Sequence, residues 1–479
     1  MESMQDIYKR RWLIFAAITM CTFISCVDAS SVNVALPGMA DELGVTMASI
    51  EWVVTAYTLV IICLILVFGK LGDTIGKDKV FKAGILGFLA GAILCFAAQN
   101  YAMLIIGRVV EGVGSAATMA NSQGLIVQVF PAHERGKALG LSGSTVALGT
   151  MVGPSLGGFI VSLLNWNWIF AMDIPVALLS FALCSRFLPK FDDAKQDHRV
   201  DLGGALLFMV MILCIYTGVK LLQAGSAYYL YCVLLLAVAF VFSRVFVRWE
   251  KKSDHPLLNL EMFRNKLFVV SVFCAMLMFF SMSGILFLQS FYLQKVQMLD
   301  AAHTGMLMMV SSVTMFVVAP FSGQLSDKIG SELICFVGLC IATSALLILS
   351  TLGVNSSLIV YVVGAILLSM GNAMFQSPNT SLIMSNVGKH QTGIAGSING
   401  LARNLGNVFG ISLSTVFLYN IMSAELGYPV MSFSPGEEQA FVTGMQWVCR
   451  FMACTCFTGA VLTGIRWRKR KNKKRKNKK

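Results

Sequence analysis

The chain is dominated by long, uninterrupted apolar runs, and no other feature limits its fold as strongly. A hydrocarbon core about 30 Å thick needs about 20 apolar residues at a rise of about 1.5 Å per residue. Runs of that size fall near residues 12–36, 51–69, 80–98, 102–124, 137–160, 166–187, 202–221, 227–246, 267–292, 304–323, 333–352, 357–378, 393–419 and 441–465. They are continuously apolar, whereas the strands of a membrane barrel alternate, so the expected fold class is all-α integral membrane with about fourteen transmembrane helices. Composition agrees: 13% of residues are charged, against about 25% in soluble domains.

The first run follows Lys9, Arg10 and Arg11, and no small-residue cleavage site closes it, so it reads as a retained helix rather than a secretory signal. Lys and Arg concentrate in alternate loops, which places both termini on the cytoplasmic side of a plasma (cell inner) membrane and favours an even number of spans. The net charge of +13 resembles a nucleic-acid footprint, but the stretch Arg466–Lys479 holds eleven basic and no acidic residues, leaving the rest near +2. That tail has two readings, a binder of anionic lipid headgroups or a disordered stop that enforces topology. The 13 cysteines are odd in number and sit almost all inside the runs, so they read as packing residues rather than disulfides or metal ligands.

Two internal echoes organise the spans. The loop GKLGDTIGKDK from Gly69 returns in degraded form as GQLSDKIGSE from Gly323. The stretch GLSGSTVALGTMVGPSLGG from Gly140 returns as GIAGSINGLARNLGNVFGI from Gly393, aligning Gly143 with Gly396, Gly153 with Gly406 and Gly157 with Gly410. Both echoes skip eight spans. They divide the chain into an N-terminal six-helix bundle (1–187), an inserted helix pair with flanking loops (188–266), a C-terminal six-helix bundle (267–466) and a basic tail (467–479), the repeated-bundle plan of secondary transporters.

With these motifs the chain resembles the major facilitator superfamily and, within it, the fourteen-helix drug:proton antiporters of multidrug efflux type. The loop glycines Gly69, Gly72 and Gly76 match the superfamily's loop motif. The resemblance implies that Asp73 holds the neighbouring bundle while Lys77 and Lys79 face the cytoplasm. VDASSVNVALP around Asp28 and EWVVTAYTL from Glu51 resemble the group's first two helices, and IIGRVVEGVGSA carries the intramembrane Arg108, with Glu111 where the family usually has Gln. Gly149, Gly153, Pro154, Gly157 and Gly158 resemble the antiporter motif that separates exporters from symporters. Glycines spaced by four form a groove for close helix packing, and Pro154 permits a bend. NWNWIFAMDIPVAL from Asn165 resembles the start of the sixth helix, with Asn167 in place of Arg and Asp173 in place of Asn; Arg403 matches the family's helix-13 Arg.

Six ionisable residues lie well inside spans: Asp28, Glu111 and Asp173 against Arg108, Arg403 and Arg450. A charge at mid-membrane costs about 2.5–3.5 kcal/mol on insertion scales, so such residues face a bundle interior or a wet cavity. Nine residues separate Asp28 from Pro37 and seven separate Arg108 from Tyr101, placing both about 10–14 Å below the outer boundary. The resemblance puts their helices beside a central cavity, so Arg108 is expected close to Asp28. Glu111, one turn deeper, is either the partner of Arg108 or a second protonatable carboxylate. Asp173 reads either as a cavity residue or as an outer-end residue in water, and Arg403 and Arg450 either as site residues or as ligands to backbone carbonyls.

No zincin His-Glu-x-x-His or Gly-x-Ser-x-Gly elbow occurs, so an enzyme is not expected. No cofactor is expected beyond a proton gradient as energy source. The expected partners are a small-molecule substrate, protons and membrane lipid, with no nucleic acid and no obligate protein partner. Export of lipophilic or cationic drugs is the leading expectation, for which the 27 Met and 33 Phe would supply adaptable walls. An endogenous metabolite or peptide, or symport or uniport on the same scaffold, are the alternatives.

Overall fold

A computed structural model describes residues 4–45, 47–50, 52–131, 134–189, 201–223, 228–253, 260–299, 301–388, 392–428, 430 and 436–476. Glu51 and most of the loops flanking the predicted insert lie outside the described residues, as does the end of the tail. Among those described, fourteen long helices follow in order: α1 (Met4–Leu43), α2 (Trp52–Ile75), α3 (Lys77–Phe96), α4 (Tyr101–Val129), α5 (Arg135–Leu163), α6 (Trp168–Phe187), α7 (Leu202–Gln223), α8 (Tyr229–Lys252), α9 (Lys266–Phe291), α10 (Ala301–Ile329), α11 (Ser331–Leu349), α12 (Leu358–Ser385), α13 (Thr392–Leu426) and α14 (Glu438–Lys476). Helices are the expected outcome, because a backbone in lipid must satisfy its polar groups within its own segment.

Thirteen of these helices are long and apolar enough to cross a membrane. The fourteenth, α5, spans 29 residues and is as apolar on average as α4. The helices overrun the apolar runs at both ends of the chain: α1 begins at Met4 and α14 continues to Lys476. The basic tail is thus helical through most of its length rather than a disordered stop. Its first turn is packed, with Trp467 stacked on Phe336 at 6.3 Å and Arg470 paired with Glu332.

The described chain divides into two units. The first comprises Met1–Met209, Arg248–Leu260 and Val387–Leu401, and the second Val210–Val247, Glu261–Asn386 and Ala402–Lys479. In the first, α1 packs on α4, α5 and α6, while α3 and α4 form the largest helix pair. In the second, α11 pairs with α12 and α14, and α9 with α12 and α14.

The internal echo is a repeat of geometry. Gly76 ends the α2–α3 turn at φ 109° and Gly330 ends the α10–α11 turn at φ 103°, a region that side chains other than glycine's rarely adopt. Asn100 caps α4 by accepting the Met103 N–H, and Ser357 caps α12 by accepting the Ile359 N–H. A Cβ on Gly84 would lie 2.9 Å from the Gly114 carbonyl oxygen, and one on Gly338 would lie 2.7 Å from that of Gly371. Likewise Gly153 and Gly157 press on the carbonyls of Val27 and Ser31, as Gly406 and Gly410 press on those of Met276 and Phe280. Each pairing keeps its register in both halves, so glycine sets the helix spacing in both.

Candidate functional site

Three helices of the first unit carry four ionisable side chains to one point. Asp28 comes from α1, Arg108 and Glu111 from α4, and Asp173 from α6, and all four are 0% exposed. The approach depends on small residues. A Cβ on Gly91 of α3 would lie 2.5 Å from the Glu111 Cα, and one on Gly107 would lie 2.6 Å from the Cys95 sulfur, so α3 and α4 close tightly behind the cluster.

Arg108 is the hub. Its Nη1 donates to Asp28 Oδ2 and Oδ1 at 2.8 and 3.0 Å and to Glu111 Oε2 at 2.8 Å, and its Nε donates to the Val53 carbonyl at 3.0 Å. The guanidinium lies over the Tyr57 ring at 4.2 Å and near the Phe170 ring at 5.6 Å, which places aromatic π-faces against the cation. Tyr57 is fixed in turn by a 2.8 Å hydrogen bond to Ser115. Arg108 and Asp28 are therefore together as expected, and Glu111 is the partner of the same Arg.

Charge and hydrogen bonding do not balance. One carboxylate oxygen from each of Asp28, Glu111 and Asp173 lies within 4.8 Å of the other two, with one guanidinium bound to two of the groups. Both Asp173 oxygens, Glu111 Oε1 and Arg108 Nη2 have no hydrogen-bond partner among the described residues. An uncompensated buried polar group costs about 1–3 kcal/mol, more when charged, and here three acceptors and one donor are in that position. Asp173 is thus a buried member of the cluster and not an outer-end residue in water; the packing of α6 on α1 and α3 encloses it. Asn167, at the head of α6, donates to the carbonyls of Phe96 and Ala98 at 3.2 Å and fixes the start of that helix.

The glycines of the resembled antiporter motif lie against the turn of α1 that holds Asp28. A Cβ on Gly149 would lie 2.8 Å from the Phe23 carbonyl oxygen, one on Gly153 would lie 2.7 Å from that of Val27, and one on Gly157 would lie 2.9 Å from that of Ser31. Gly158 is half-buried, and the Pro154 side chain lies outside the described ones.

In the loop motif, Gly69, Gly72 and Gly76 are buried, and Gly72 faces the Asn121 side chain. Asp73 Oδ2 accepts the Ile394 N–H at 2.9 Å, at the first turn of α13, in the 387–401 segment of the first unit. A carboxylate there also meets the positive end of the helix dipole. Lys77 departs from expectation: it is 1% exposed and pairs with Asp73 at 2.5 Å, while Lys79 is exposed. An ion pair with a buried acid one turn away outcompetes solvation of the ammonium. Arg403 is half-buried on α13 in the second unit, and Arg450 is exposed with its guanidinium 4.9 Å from the centre of the Trp447 ring.

Tyr57, Cys95 and Phe170 escaped the sequence reading. Aromatic and cysteine residues are common filler in apolar spans, so nothing in the sequence set these three apart. Cys95 places its Sγ 3.9 Å from Glu111 Oε2.

With this geometry established, comparison with known proteins assigns the chain. Residues 18–411 match the Major Facilitator Superfamily. The riboflavin transporter RibZ of Clostridioides difficile is 32% identical, covering 96% of this chain and 98% of its own. The multidrug resistance protein Stp of Mycobacterium tuberculosis is 30% identical over 87% of this chain and 78% of its own. The proton:xylose symporter XylE shares the fold with a TM-score of 0.68 at 14% identity, covering 95% of each chain. Fourteen long helices in repeated register, this family match and relatives named as transporters lead to one conclusion: the chain is a multi-pass membrane transporter of the major facilitator superfamily, and not an enzyme.

Proposed function

We propose that the protein is a proton-coupled antiporter that exports small organic compounds by alternating access, with Asp28 and Glu111 as the proton-coupling pair and Arg108 as their common counter-ion. The observation that carries the reading is the buried cluster itself, in which a single guanidinium nitrogen bridges two carboxylates on different helices. A proton gained by Asp28 weakens its hold on Arg108 and loosens α1 from α4, while Glu111, on the same helix as Arg108, competes for the guanidinium, so protonation is tied to helix position. The glycine contacts between α5 and the Asp28 turn support the same coupling, because movement of α5 is felt directly at that turn. The plasma membrane, with both termini in the cytoplasm, is the setting this reading assumes.

Relatives named for multidrug resistance support lipophilic or cationic compounds as cargo. A second reading, a flavin-like metabolite as cargo, is favoured by RibZ, which is matched over nearly its whole length. Expression in an efflux-deficient host separates the two. Drug export predicts lowered susceptibility to lipophilic cations and antibiotics, lost in Asp28→Asn. Flavin transport predicts altered riboflavin distribution with unchanged susceptibility. If neither differs from the empty host, both substrate classes are wrong.

A further inference from the structure

We infer that Asp173 is a second proton-carrying group, so that the occluded cluster holds two protons rather than one. The inference rests on the antiport reading above and adds its stoichiometry.

Asp28, Glu111 and Asp173 contribute three negative charges when ionised, and Arg108 contributes one positive charge. The groups facing Asp173 are Asp28 on α1, the Cys95 thiol on α3, and Arg108 and Glu111 on α4, with the Tyr57 hydroxyl of α2 beyond the guanidinium. Arg108 is the sole cation among them, and it donates to Asp28, Glu111 and the Val53 carbonyl rather than to Asp173. Two protons make the cluster neutral, and any smaller number leaves a net charge in an interior where every member is 0% exposed.

The hydrogen-bond pattern points to Asp173 as one of the two holders. Both of its oxygens are acceptors without a donor, and Glu111 Oε1 is a third. A proton forming an O–H bond on Asp173 turns one of these acceptors into a donor, with an oxygen of Glu111 and one of Asp28 within 4.8 Å. The remaining proton sits on the Asp28–Glu111 pair. A metal ion fits poorly. Hard divalent cations take six or more oxygen ligands, whereas this cluster offers three open oxygens beside a guanidinium that would repel the ion.

The test needs no known substrate. Infrared spectra of the full-length protein in liposomes, titrated with pH in H₂O and D₂O, read the carbonyl stretch of protonated carboxyl groups. Wild type should show two such bands, both shifting on deuteration. Asp173→Asn should lose one and retain the other, Asp28→Asn with Glu111→Gln should lose the complementary one, and Asp173→Glu should restore the band at a shifted position. Asp173→Asn spectra that superimpose on wild type, or an absent second band in wild type, would overturn the inference. The antiport reading would survive that result, because substrate-induced proton movement is measured separately in the same liposomes. Two bands without any such proton movement would instead overturn the antiport reading, and with it the proton-carrying role of Asp173.

Discussion

The two units share a packing scheme and differ in charge. Gly84 against Gly114 is matched by Gly338 against Gly371, and the α5 glycines on Val27 and Ser31 by the α13 glycines on Met276 and Phe280. In that register Arg108 and Glu111, six and three residues before Gly114, correspond to Ala365 and Leu368 before Gly371, and Asp28, after Val27, corresponds to Leu277 after Met276. Ala365 and Leu368 are buried members of an ordinary apolar core. The scaffold therefore needs the glycines and does not need the charges. Asp28, Arg108 and Glu111 therefore serve something other than holding helices together, since apolar residues do that at the equivalent places.

The largest contrast should come from removing the hub. Arg108→Leu leaves three buried acids without a cation, and breaking a buried pair by deleting one partner typically costs about 3–5 kcal/mol. Thermal unfolding of the purified protein should show that loss, together with abolished transport. Leu368→Met, at the equivalent place of the second unit, conserves volume and should cost less than about 1.5 kcal/mol with transport intact. Equal sensitivity at the two positions would dissolve the contrast.

Next in size are the shared glycines. Gly157→Leu and Gly410→Leu each force a side chain into a neighbouring backbone, and overpacking costs about 1–3 kcal/mol or more. The two should be destabilised to a similar degree in the same melting experiment, because the contact is the same. A mild effect at one position alone would show that the repeat is not a repeat of mechanics. Smaller still are the caps: Asn100→Ala and Ser357→Ala should each cost about 1 kcal/mol, again alike, read as matching shifts in melting temperature.

The spans, their order and the paired glycines were legible in the sequence because a bilayer demands apolar length and close helix contact demands small residues. The Asp28–Arg108 contact was legible from matched depths together with the family resemblance that set their helices beside one cavity. The fate of Asp173 was not. Five residues into α6, it sits where an outer-end position would be wet, and only the packing of α6 on α1 and α3 removes the water. Lys77 was misjudged for a related reason: its pattern reads as a solvated turn, while its pairing with Asp73 one helical turn earlier depends on burial of that acid. Tyr57 carries no mark in sequence that distinguishes a ring under a guanidinium from a ring in lipid.

The central claim is that the charged cluster of one unit couples protons to transport, and proton movement itself tests it most directly. Everted membrane vesicles loaded with a pH-sensitive quenched dye and energised inside-acid should show dequenching when a transported compound is added to the wild-type protein. Vesicles carrying Asp28→Asn with Glu111→Gln should form the same gradient and show no dequenching with that compound. Undiminished dequenching in the double variant would contradict the account.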